Sequence, residues 1–229
     1  MTEVEKGRFI TIEGGDGTGK TTQIKKLTEY LTSQGIDVIA TREPGGTEEA
    51  EKIRNLLVQR DGGNWDPISE VMLLMAARRE HLSKKIWPAL EAGKWVISDR
   101  FVDSSFVFQG FGMGVDHSEI VKLYEAIAGD FMPDLTLVFD IDAKLGLERS
   151  NRQMEITEVV AESTEDRYER MGLSFHQKLR QGFLEIAKKY PERCVLCDAS
   201  VDIESLHKEI CVIIDHRLFA REQRKNINE

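Results

Sequence analysis

Residues 8–22 read Arg8-Phe9-Ile10-Thr11-Ile12-Glu13-Gly14-Gly15-Asp16-Gly17-Thr18-Gly19-Lys20-Thr21-Thr22, and this stretch decides the fold. Its first part, Arg8 to Glu13, is short, β-branched and almost continuously apolar, as a strand covered on both faces should be. Gly14 to Thr21 then match the spacing G-x-x-x-x-G-K-S/T. Behind them Ile24, Leu27 and Leu31 recur at helical spacing, and Gly35 stands where that helix should stop. In a strand–loop–helix of this kind, glycines let backbone N–H groups turn inward around a polyphosphate, and the helix N-terminus adds positive potential. The expected ATP-binding residues are therefore Gly14, Gly15, Asp16, Gly17, Thr18, Gly19, Lys20 and Thr21. Lys20 would reach the β- and γ-phosphates, and the Thr21 hydroxyl would ligate Mg²⁺.

Working outward, the same alternation continues. Asp37–Thr41, Trp95–Ser98, Leu135–Asp140 and Cys194–Cys197 read as further buried strands. Between them lie helical stripes, Ile120, Tyr124 and Ile127 in one and Phe175, Leu179, Phe183 and Ile186 in another. Strand and helix alternating with right-handed crossovers predict an α/β fold, a five-stranded parallel sheet with helices on both faces. Polar residues follow each strand: Lys20, Arg42-Glu43, Asp99-Arg100, Asp142 and Asp198-Ala199-Ser200. Ligands of open α/β sheets bind beyond the carboxyl ends of the strands, so the polar residues fall where a site belongs. Residues 1–229 are expected to form one domain, with a lid at about 149–166. Within it Asn151 to Glu165 is acidic, with little apolar periodicity, and reads as an exposed loop or lid. The charged tail from Arg221 is expected to fray.

Composition removes other answers. The chain has 229 residues, 41% hydrophobic and 31% charged, with a formal net charge of -9, the wrong sign for a duplex-binding protein. No nucleic-acid partner is expected. The apolar run Val71 to Ala77 falls far short of the ~20 residues a bilayer span needs, and Met1 to Arg8 is polar, so neither membrane insertion nor a signal peptide is expected. Cys194 and Cys197 form a C-x-x-C, but on a strand residues three apart point to opposite faces, so they share neither a metal nor a bridge. The expected setting is cytoplasmic. No Asn-Lys pair is present to open the N-K-x-D element of a guanine switch.

Several motifs in order then resemble one family. These are the phosphate loop, Thr41-Arg42-Glu43-Pro44-Gly45-Gly46-Thr47, Ala76-Ala77-Arg78, Ser98-Asp99-Arg100, Phe108-Gln109-Gly110, Gly129 to Thr136, and Asp166-Arg167-Tyr168-Glu169. Together they run from about Arg8 to Asp215 and are similar to the thymidylate kinases, which phosphorylate dTMP to dTDP on the way to dTTP. The resemblance implies roles. Arg100 would clamp the 5′-phosphate of dTMP with its planar fork, and Asp99 would order that region and the magnesium waters. Arg78 would meet the thymine carbonyl edge, with Leu74 beneath the ring four residues earlier on the same helix face. Ser105 and Gln109 would hydrogen-bond the base, and Phe108 would crowd C2′ against ribose. Asp16, Glu43, Arg54 and Tyr168 complete the dTMP side. Arg79, one residue round the helix, is expected to be solvated only.

Asp16 stands where one branch of the family has a basic residue in the phosphate loop. The other branch supplies arginine from the lid, here Arg149 or Arg152, with Arg167 at its far side. The chain departs from its family in having Leu74 where phenylalanine is usual, and in a longer, more acidic lid. Catalysis would come from alignment and charge neutralisation by Lys20, Mg²⁺, Arg100 and a lid arginine, because a phosphomonoester acceptor is largely anionic at neutral pH and needs no strong base. The resemblance also implies a homodimer, through a helix face such as Ile120–Tyr124–Ile127, a face that could equally be intramolecular core. A kinase for another nucleoside monophosphate, or a non-enzymatic ATP-binding regulator, are the competing readings. The regulator would have no use for a second phosphate clamp.

Overall fold

Strands β1 (Phe9–Gly14), β2 (Val38–Arg42), β3 (Trp95–Asp99), β4 (Leu135–Asp140) and β5 (Cys194–Asp198) pair in parallel in the order β2-β3-β1-β4-β5. The structure is a computed structural model that describes residues 5–59, 63–158, 167–168 and 170–219. The helices are α1 (Lys20–Ser33), α2 (Glu48–Val58), α3 (Pro67–His81), α4 (Trp87–Glu91), α5 (Val102–Ser105), α6 (His117–Ala128), α7 (Ala143–Glu158), α8 (Leu173–Lys189) and α9 (Ile203–Ile214). A π-helical turn, Phe106–Gly112, extends α5. The five-stranded parallel sheet with helices on both faces is the one the alternation implied.

Side chains of the central strands alternate between two cores. Phe9, Val96 and Val138 pack on one face with Val71, Ile120, Leu179 and Phe183 of α3, α6 and α8. Ile10, Ile12, Ile97, Leu137 and Phe139 pack on the other with Leu27 and Leu31 of α1 and Leu206 and Ile210 of α9. Cys194 belongs to the first core and Cys197 to the second, so the thiols do point apart. Burial pushes both up to about 12, which leaves no reactive thiolate at neutral pH. Coverage on both faces holds for β1, β3 and β4 but fails at the sheet edges, where Ala40 is exposed and Leu196 is 46% exposed. An edge strand has helices over only part of its surface.

One expectation needs correction, and one open choice closes. Residues 151–158 are helical, the end of α7, and not a loop. Glu, Arg, Gln and Met are good helix formers even without an apolar stripe, so periodicity alone misread them. The remainder of the expected lid, 159–166, and the tail from 220 lie outside the described residues. The Ile120–Tyr124–Ile127 face is core of this chain itself, with Ile120 and Tyr124 buried and Ile127 packed against them. Of the two readings open to that face, intramolecular core is the one the packing supports. No helix among the described residues is long and apolar enough to cross a membrane.

Candidate active site

The carboxyl ends of β1, β2 and β3 lie side by side, with Ile12 opposite Asp99 and Asp99 opposite Arg42. Each strand therefore delivers its following loop to one rim. Gly17 shows why the phosphate loop needs glycine: its φ is +70°, and a Cβ there would stand 1.9 Å from the Gly146 carbonyl of α7. Gly19 caps α1 with no side-chain bond, and the first turn holds no acid, so its N–H groups are left for an anion. Lys20 lies back over the loop, donating to the Gly14 and Gly15 carbonyls at 3.3 and 2.9 Å. Burial, helped by Arg100, holds its ammonium below the usual value. Asp99, Asp16 and Glu13 oppose that shift. A depressed lysine wants more negative charge, which a polyphosphate would supply.

Arg100 is the one non-glycine residue with positive φ (67°) among the described residues. Backbone in that region costs on the order of 1–3 kcal/mol and persists where surroundings over-determine it. Here they do. The Arg100 N–H donates to Ile12 O, its guanidinium donates to Gly14 O at 2.9 Å, Ser104 Oγ at 3.2 Å and Asp16 Oδ1 at 2.8 Å, and it lies over the Phe108 ring. Burial alone would raise the Asp16 carboxyl, but Arg100 and Lys20 outweigh it and hold it low. Beneath sits Glu13, which accepts from Phe101 N, Ser104 N and Ser104 Oγ. Burial, with repulsion from Asp103, pushes Glu13 up to about 7.

A cavity of about 130 Å³ opens beside Arg100. Asp16, Glu43, Arg54, Leu74, Arg78, Arg100, Ser105, Phe108, Gln109 and Tyr168 all line it. Every residue expected on the dTMP side is thus brought together. Helix α3 supplies Leu74 and Arg78 at i and i+4, while Ser105, Phe108 and Gln109 share a face where α5 runs into its π turn. Arg78 has five N–H donors, and four go to Glu43 Oε2, Met75 Sδ, Phe101 O and Ser105 Oγ. One remains for a ligand. Arg78 with hydrogen bonds from His81 keeps the Glu43 carboxyl low, against the burial that would raise it. Arg54 reaches the Pro44 carbonyl, so it braces the Glu43 loop from α2.

Arg149 and Arg152 part company. Arg149 donates to the Ala199 and Ser200 carbonyls, beside the loop expected to meet adenine, and lines a second, wider chamber with Lys20, Thr21 and Asp99. Arg152 is exposed and lines neither space. Arg167 turns into the first cavity, on Leu57 O and Glu70. Arg79 is exposed but not merely solvated, since it donates to Ile127 O and covers the Trp87 ring.

Two buried residues escaped the sequence reading. His81 joins Glu43 to the Thr41 hydroxyl. Glu70 is fully buried and gathers Gln109, Arg167 and Tyr168. Both lie on the Leu74–Arg78 face of α3, Glu70 at i-4 and His81 at i+3, so helical spacing could have found them.

Comparison with known proteins agrees with this geometry. A family model described as thymidylate kinase matches residues 12–210. A thymidylate kinase from Magnetococcus marinus is 44% identical over 93% of this chain and 98% of its own length. One from Geobacillus sp. (strain WCH70) is 45% identical over 88% of this chain and 92% of its own. The crystal structure of thymidylate kinase from Ehrlichia chaffeensis shares the fold with a TM-score of 0.71 at 37% identity, covering 92% of this chain and 99% of that one. Agreement this long, in sequence and in fold together, leaves one conclusion: the chain belongs to the thymidylate kinase family.

Proposed function

We infer that this chain transfers the γ-phosphoryl group of ATP to dTMP, giving dTDP and ADP. The observation that carries the reading is a junction. The base-sized cavity and the wider phosphate chamber share Asp16, Glu43, Arg54 and Arg100, so a donor and an acceptor phosphate would meet at the strained arginine. A regulator needs no such second chamber. Lys20 and the α1 N-terminus hold the donor phosphates, and Arg100 takes the acceptor phosphate in its fork. An anionic phosphate oxygen attacks directly, so no residue has to remove a proton. A coupled ADP-release assay comparing dTMP with dCMP, dGMP and AMP tests the reading, and turnover favouring another acceptor would replace it.

Mg²⁺ belongs to the proposal. The Asp99 Oδ1 is buried with no partner among the described residues, and Asp99 and Thr21 line the phosphate chamber. No cluster of three or more acidic, His or Cys ligands that could hold a metal exists among the described residues, which suits an ion carried largely by phosphate oxygens and water. Thr21, with Asp99 directly or through water, would hold it, and the ion would neutralise charge that develops on the phosphates. One P-loop kinase domain with a lid at about 149–166, a cytoplasmic setting and a homodimer complete the proposal. Exposed Leu56 on α2 and Met72 on α3 are large apolar side chains left for the dimer interface.

The lid arginines give different expected kinetics. Arg152 follows Arg149 by three residues on α7, so lid closure would carry both toward the donor. Arg152→Ala should lower kcat on the order of 100-fold with little change in dTMP affinity, as expected for a charge met only in the transition state. Arg149→Ala, losing its anchor on the Ala199–Ser200 loop, should instead raise KM for ATP several-fold. Steady-state kinetics on both variants decides this; two unaffected enzymes would remove arginine from the lid mechanism.

Leu74→Phe should tighten dTMP binding. An aromatic ring stacked on a base contributes about 1–3 kcal/mol, whereas leucine offers apolar area alone, at roughly 25 cal/mol per Å². Leu74 also packs with Leu57 and Val58, with Tyr168 beside them, so the larger ring is partly crowded and the gain should stay below about tenfold. Calorimetric titration of dTMP measures it. An unchanged Kd with an altered melting temperature would make Leu74 a core residue only.

A further inference from the structure

Glu70 lies beneath the base cavity with its side chain fully buried. Arg167 donates to Oε2 at 2.6 Å, while Tyr168 Oη and Gln109 Nε2 donate to Oε1 at 2.8 and 2.7 Å. A carboxylate only accepts, so it dictates which end of the Gln109 amide faces it. The nitrogen must turn toward Glu70. Gln109 Oε1, on the other side of the amide, is buried and has no partner among the described residues, in a side chain that lines the cavity. An unmet buried acceptor of this kind asks for a donor from a ligand.

Resting on the function proposed above, we infer that Glu70 is a specificity-positioning residue. By holding the Gln109 amide in one orientation, it makes the cavity accept a pyrimidine that carries a ring N–H beside a carbonyl and reject cytosine. Gln109 presents an acceptor, and Arg78 keeps one N–H donor. Thymine and uracil offer the matching donor at N3 and acceptor at O4. Cytosine offers an acceptor at N3 and an amino group at C4, so both contacts are mismatched. Sites built to meet a ligand's polar groups reject the mismatched analogue strongly, because buried partners are left unpaired. Arg167 and Tyr168 hold the carboxylate itself in place.

Glu70→Gln tests the inference, because the new amide can donate to Gln109 Oε1 and so release the opposite orientation. The preference for dTMP over dCMP, as a ratio of kcat/KM values, should fall at least tenfold. KM for dTMP should rise while KM for ATP holds. A merely structural role would lower both acceptors together, and an unchanged ratio overturns the proposal. If circular dichroism shows that the variant does not fold, the wild-type protein still decides. Affinity for 5-fluoro-dUMP, whose N3–H is more acidic than that of dUMP, should fall as pH rises through its ionisation while dUMP affinity holds. Binding that stays level or strengthens overturns the proposal. A wild-type protein active on dCMP but not on dTMP or dUMP would instead remove the functional reading beneath it.

Discussion

Lys20→Met should abolish most turnover, a fall in kcat of about 10²–10³-fold, while the melting temperature stays within roughly 3 °C of the parent. The kinetic half follows from position. Lys20 lies at the start of α1 in the phosphate chamber, where it would neutralise charge on the transferring group. The stability half follows from electrostatics. Burial holds the ammonium below its ordinary value, so its charge opposes folding at neutral pH, and removing it relieves a cost. Nothing is orphaned either, because Gly14 O keeps its bond from Arg100 and Gly15 O keeps one from Thr18. Methionine retains the aliphatic stem. Binding of dTMP should persist, since Lys20 does not line the base cavity. Coupled ADP release, thermal melting and dTMP calorimetry read the three parts. Wild-type turnover, or collapse of the fold, would defeat the phosphate-loop assignment.

How far the sequence could carry the reader is visible at particular residues. The glycine loop was legible because its spacing, strand and helix are all local, and local signals need no tertiary knowledge. The base cavity was legible through i, i+4 geometry at Leu74–Arg78 and at Ser105–Gln109, once family resemblance said which faces mattered. Glu70 and His81 escape a sequence reading, and so does any role for Glu13 beyond its strand, although each is buried and central. A buried carboxylate looks in sequence like any surface acid, and its partners lie far off: Gln109 is 39 residues from Glu70, and Ser104 is 91 from Glu13. The loop reading of residues 151–158 failed for the opposite reason. Helix propensity there is strong and amphipathicity weak, so the apolar period carries no sign of a helix that propensity alone supports.

The buried frame behind Arg100 carries the other large expected effect. Arg193 donates to both oxygens of Asp103, at 2.6 and 2.8 Å, and to Thr136 Oγ1 at 3.0 Å, while stacking on Tyr190. Asp103 is fully buried in α5, next to the Ser104 that bridges Glu13 and Arg100. Arg193→Met would leave that carboxylate with its counter-charge gone, a change that costs about 3–5 kcal/mol and roughly 10 °C of melting temperature in a chain of this size. The loss should grow with pH. Glu13 is already raised from 4.5 to about 7 by burial and by Asp103, so its own contribution to stability falls as pH rises across that window and is level above it. With Arg193 absent, Asp103 loses the cation that pairs with it while Glu13 still repels it, and protonating Glu13 at pH 5 relieves both burial and repulsion. The deficit should therefore be smaller at pH 5 than at pH 8. Asp103→Leu combined with Arg193→Met removes the unpaired charge and should recover most of the stability, since apolar replacements of a buried ion pair are often neutral. Thermal melts of the parent, Arg193→Met and the double variant at both pH values give the answer. A double variant no more stable than Arg193→Met would mean that shape, and not charge, ties α5 to β4 and β5. Turnover should recover with the double variant only as far as Ser104 returns to Glu13, because Ser104 Oγ is one of the acceptors that hold the Arg100 guanidinium.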